Sequence, residues 1–118
     1  MSEIRDIRNK IIENGDLCIR TSFADKKSVL VYCVVFDNRA FYIKPNWRTS
    51  RNDLMADITC ESSVITSFTF EDYQIMKLNE LDDDEKAIRE RLLGKLANFN
   101  GKGNFSVKYI EMAKRLLN

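Results

Sequence analysis

Lys44, Trp47, Arg48 and Arg51 fall within one short segment, Ser50 sits beside the last of them, and Arg39 and Tyr42 lie just upstream. Residues 44–51 carry three cations and no acid. A phosphate is held by cations or by free backbone N–H groups at a helix N-terminus, and this segment offers both. Ser50 to Asp53 fits a capping box, with Ser at the N-cap and an acid three residues later. Thr49 and Ser50 add hydroxyl donors, and a Trp beside arginines can stack on a nucleobase or an isoalloxazine ring. The competing arrangement folds Trp47 back onto a sheet and leaves the arginines as a solvated rim.

Other clusters read more plainly as structure. Asp82-Asp83-Asp84-Glu85 resembles a magnesium-binding run but stands where a helix begins, and acids there are favoured by the helix dipole. Asp53 and Asp57 are one helical turn apart, suited to a paired acid and base or to offsetting Arg48 and Arg51. Phe68, Phe70 and Tyr73 could form a stacking platform on a sheet; alternation instead puts Val64, Thr66, Phe68 and Phe70 on one core face. The chain has no histidine, which removes the commonest general base and the usual nucleophile triads. The reading therefore leans away from an enzyme and names no catalytic residue.

The elements that must position this segment follow from hydrophobic patterning. Val29 to Phe36 is an unbroken apolar run rich in β-branched residues, the pattern of a strand buried on both faces. Asp37-Asn38 breaks it, and Arg39 to Ile43 resumes it as a second strand of a hairpin. Upstream, Leu17, Ile19, Thr21 and Phe23 alternate with Cys18, Arg20 and Ser22, which predicts a strand with one face buried. Ile4, Ile7, Ile11 and Ile12 predict a first helix capped by Ser2 and ended by Gly15. A short helix after Ser50 should turn Leu54 and Ile58 inward. Two strands, 64–70 and 73–78, precede a helix with Ile88, Leu92, Leu96 and Phe99 on its apolar stripe. Ser106 caps a last helix, whose Lys108, Lys114 and Arg115 lie over an apolar stripe suited to its own domain or to a docked partner. Short links between successive strands predict one α+β domain over 1–118. It consists of an antiparallel five-stranded sheet or small split barrel flanked by N-terminal and C-terminal helices.

Composition narrows the partners little. With 19 basic and 18 acidic residues the net charge is +1, so a nucleic-acid surface has to be a local patch. Cys18, Cys33 and Cys60 form no CxxC pair, and without histidine they argue against a zinc site and for reduced thiols. No run approaches eighteen apolar residues and the N-terminus is polar, so the expectation is a cytoplasmic protein without a membrane partner.

The element order, and Phe41 to Arg51 within it, resembles the FMN-binding split β-barrel family of pyridoxamine-phosphate-oxidase-like proteins. The resemblance spans roughly residues 2 to 90. It implies that Tyr42, Ser50 and Arg51 match the turn that grips the FMN phosphate, and that the chain pairs as a homodimer. Read from its residues, the chain is a non-enzymatic binding module without a cofactor. It engages a phosphate-bearing partner, nucleic acid foremost, through Arg39, Tyr42, Lys44, Trp47, Arg48, Ser50 and Arg51. The alternatives are a degenerate FMN-binding barrel and a protein-docking regulator that uses Trp47 and the C-terminal helix.

Overall fold

Val31 to Phe36 are each at most 4% exposed, on alternating sides of one strand, and that strand is the middle of the sheet. The computed structural model describes residues 4–24, 27–43, 55–56, 58–59, 64–69, 75–99 and 107–117. At 21–24, 27–30 and 69 it describes the backbone alone. Its strands are β1 (Leu17–Ala24), β2 (Lys27–Phe36), β3 (Arg39–Ile43), β4 (Ile65–Thr69) and β5 (Ile75–Lys77). Its helices are α1 (Asp83–Ala97) and α2 (Val107–Leu117). All pairings are antiparallel, in the order β4-β3-β2-β1-β5.

The sheet separates two cores. Leu17, Tyr32, Val34, Phe36, Phe41, Ile43 and Ile65 face the helices, where they meet Ile88, Leu92, Leu93 and Leu96 of α1 and Ala113 of α2. Cys18, Cys33, Val35, Ala40, Phe68 and Ile75 face the other way, with Ile12 and Ile4 over them. A strand between two cores has no polar face, which is why β2 reads as a continuous apolar run.

The α+β class, the five-stranded antiparallel sheet and the C-terminal helices match the sequence expectation. The barrel does not: the sheet is open. It is nonetheless strongly coiled. Only residues 70–74 join Thr69, on one edge, to Ile75, on the other. Four strand spacings are about 19 Å in a flat sheet, close to the full reach of about 20 Å for six residue steps. The side chains show the direction of the bend. Arg20 of β1 reaches across two strands to place its guanidinium 4.2 Å from the ring centre of Phe68 on β4. The sheet is therefore concave on the face away from the helices.

Two expectations about local structure are corrected. Residues 4–16 form no helix; they make a turn closed by an Arg5–Ile11 bridge and lie as a strap against the concave face and β5. Asp6 is the reason. Its carboxylate accepts backbone N–H bonds from Arg8 (2.9 Å), Lys10 (2.8 Å) and Lys77 (2.9 Å), a local competitor for helix formation. Ile7 N–H donates to Ile75 O, and Arg8 to Lys77 O, so the strap also occupies the edge of β5. Ile4 and Ile12 turn inward, and Ile7 and Ile11 are left exposed. Gly15 ends no helix. With φ +91° it takes the left-handed turn into β1, donating to Val35 O, and a Cβ there would strike Leu116 of α2.

Strand β1 was expected to bury one face, yet Cys18 on its other face is fully buried because the strap covers it. Helix α1 starts as its acids predict. Asp82 caps it, Glu85 N–H donates to Asp82 Oδ1 (2.8 Å), and Glu85 Oε1 accepts from Asp82 N–H (3.2 Å). Glu85 also accepts from the buried Tyr32 hydroxyl at 3.5 Å, joining the cap to β2. Among the described residues no helix is long and apolar enough to cross a membrane.

Candidate functional site

Arg39 and Tyr42 are the two candidate residues whose positions are described; Lys44, Trp47, Arg48, Ser50 and Arg51 lie outside the described residues. Both sit on β3, the strand that leads directly into the basic segment. Three residues apart on a strand, they point to opposite faces. Arg39 lies on the helix side, where its Nη1 donates to Ser67 Oγ of β4 at 2.9 Å. Tyr42 lies on the concave side, its ring 5.4 Å from Phe68 in an edge-on contact and 5.1 Å below the Arg20 guanidinium. A ligand lying on one face of the sheet can touch only one of the two.

Sequence reading missed Arg20, the cation over both of those rings. Within an alternating strand it looked like an ordinary solvent-facing residue. Its partners come from β3 and β4, far away in the chain, and only the coil of the sheet brings them together. Phe68 itself is 9% exposed and belongs to the concave core, as the core reading expects, but Val64 of the same set is exposed and Ile65 on the opposite face is buried on the helix side. Phe70 and Tyr73 lie outside the described residues, and so do Asp53 and Asp57.

The chain re-enters described structure at the helical residues Met55, Ala56, Ile58 and Thr59. Ile58 is 1% exposed and belongs to the core cluster on the helix side that also holds Ile43 at the end of β3. The basic segment is thus flanked on either side by residues of one apolar cluster. Beside this cluster an open groove of about 290 Å³ runs between the short helix and α1. Ile58 forms its floor, and Glu90, Arg91 and Lys95 stand around it.

Gly94 also lines this groove, and a Cβ there would meet nothing within 4 Å. Packing does not require this glycine. Gly94→Ala should stabilise the fold by about 0.5–1 kcal/mol, because alanine loses less backbone entropy in a helix. Thermal or urea denaturation checks it; a lower midpoint would mean that the groove is tighter than its geometry shows.

Helix α2 packs part of its apolar side within the chain and leaves Val107, Leu116 and Leu117 exposed. Tyr109 lies 5.2 Å from Phe41 and Ala113 is fully buried, and Ile110 and Met112 are half-buried against the same core. Lys108 pairs with Asp37 in the β2–β3 turn at 2.6 Å, a hydrogen bond that raises the pKa of its ammonium. Among the described residues no three His, Cys, Asp or Glu side chains converge as metal ligands. The chain matches no protein-family model, no curated protein and no solved structure.

Proposed function

We propose that this chain is a small non-enzymatic binding module that engages a phosphate-bearing partner, nucleic acid, through the basic and aromatic segment 44–51. One observation carries the reading. Lys44, Arg48 and Arg51 are gathered around Trp47 without an acid, in a chain whose net charge is only +1. Three cations close together neutralise adjacent phosphates, and an indole among them stacks on a base of any sequence. The frame supports this reading, since Ile43 and Ile58, on either side of the basic segment, belong to one core cluster. Nucleic acid is preferred over FMN because the flavin-binding family that the chain resembles carries a basic residue inside its second strand, and Val29 to Phe36 has none. It is preferred over a docked protein because Tyr109, Ile110, Met112 and Ala113 of α2 already pack against the chain's own core.

The test is binding of fluorescently labelled single- and double-stranded oligonucleotides across a salt titration. Arg48→Ala and Arg51→Ala should each weaken binding and lower the salt slope by about one. Trp47→Ala should weaken binding by roughly 1–3 kcal/mol and leave the slope almost unchanged. Each variant must melt like wild type, because an indole packed on the core would weaken binding through instability instead. A wild-type protein that binds no oligonucleotide at low salt would end the reading, as would folded variants that bind like wild type.

A further inference from the structure

Two thiols lie side by side on the concave face. Cys18 and Cys33 are direct partners in the β1–β2 pairing, both fully buried and both free. Cys33 Sγ lies 3.5 Å from Cys18 O, to which it donates. Val35 N–H donates to Asp16 O, which marks that pair as a hydrogen-bonded site of the ladder, and 18/33 is the next one along. At such a site the Cα atoms are about 5.5 Å apart, inside the usual disulfide range of about 4.4–6.8 Å. At a hydrogen-bonded pair the Cβ atoms lie toward the long end of about 4.5–5.5 Å. A disulfide wants about 3.8 Å, so the bond forms only with a local closure of more than about 1 Å and with strain.

We propose that Cys18 and Cys33 are a reversible oxidation site that closes into a cross-strand disulfide, with the strap of residues 4–16 controlling access. Two S–H bonds break and one S–S bond forms. The two electrons and two protons pass to a small two-electron oxidant, such as a diazenedicarboxamide, which becomes the hydrazine. The strained product returns readily to the dithiol when a thiol reductant attacks it.

The strap supplies the control. Ile4 and Ile12 pack over the two thiols, and the burial pushes the Cys33 thiol up to about 12 and raises Cys18 as well. The thiolate is the attacking species, so a closed strap keeps the pair inert. Opening the strap admits water and oxidant together. The strap is tied down by Asp6, whose side chain holds Lys77 N–H of β5 from across the turn.

The experiment treats the native full-length protein with diazenedicarboxamide near neutral pH and maps its tryptic peptides without reduction. The expected product links peptides 11–20 and 28–39, disappears with dithiothreitol, and is absent from Cys33→Ser. Asp6→Asn should speed its formation severalfold at a temperature where both proteins remain folded. Crosslinks made only through Cys60, or none in the Asp6→Asn protein, would overturn the site. Equal rates with and without Asp6→Asn would overturn the role of the strap.

Discussion

Val34→Asp should abolish folding. Val34 is fully buried on the helix side of the central strand, paired with Leu17 on one neighbour and Phe41 on the other. The cluster around it is apolar. An unpaired carboxylate there loses its hydration and gains no partner, at several kcal/mol even after relaxation. Domains of this size have about 5–15 kcal/mol in total. Far-UV circular dichroism and a thermal melt should show no cooperative transition. A soluble variant that melts cooperatively would remove β2 from the middle of the fold.

The same change at Val31 makes the informative contrast. Val31 is only 1% exposed, yet it faces the concave side, directly opposite Arg20 in the β1–β2 pairing. A carboxylate at that position meets a guanidinium. Val31→Asp should therefore be destabilised but folded, because a buried charge beside an opposite one costs far less than a buried charge alone. Equal damage from both substitutions would show that Arg20 is held too tightly on its two rings to turn toward position 31.

Asp6→Ala should release the strap. Three backbone N–H groups lose their acceptor at once, and a hydrogen bond to a charged group is worth about 1.5–3 kcal/mol. The loss should reach at least that range, read as a lower denaturant midpoint together with faster amide exchange at Lys77. An unchanged midpoint with protected Lys77 would mean that Ile4 and Ile12 hold the strap without Asp6. Acid should mimic the substitution. Burial by itself would raise the Asp6 pKa, but the N–H bonds from Lys77, Lys10 and Arg8, with the Arg8 charge, outweigh it and bring the net shift down. A group with a depressed native pKa adds stability above its unfolded value, about 3.9, and loses it as pH falls through the native value. The strap is therefore complete at neutral pH and fails on the acid side, below about pH 4. The Asp6→Ala protein should lack that part of the acid dependence.

Much of the sheet and both long helices were legible in the chain because their signals are local. An unbroken apolar run announced β2, Asp37-Asn38 announced its turn, and Asp82 with Glu85 announced the start of α1. Each depends on residues within a few positions of one another. The failure at residues 4–16 has the same physical basis. The spacing of Ile4, Ile7, Ile11 and Ile12 suits a helix, but Asp6 gains more by holding the N–H of Lys77, a partner 71 residues away. Period alone cannot register that competitor.

The amino-acid sequence by itself determined the α+β class, the central place of β2 and the gathering of three cations around Trp47. The strand expected over Arg39 to Ile43 also put Arg39 and Tyr42 on opposite faces, through the pleat, and the tertiary structure decided which face meets the helices. The tertiary structure alone decided that the sheet stays open, that Arg20 lies over the paired rings of Tyr42 and Phe68, and that Cys18 faces Cys33 under the strap. Those contacts join strands distant along the chain, and they are set by pairing order, register and coil, which no local pattern of side chains encodes.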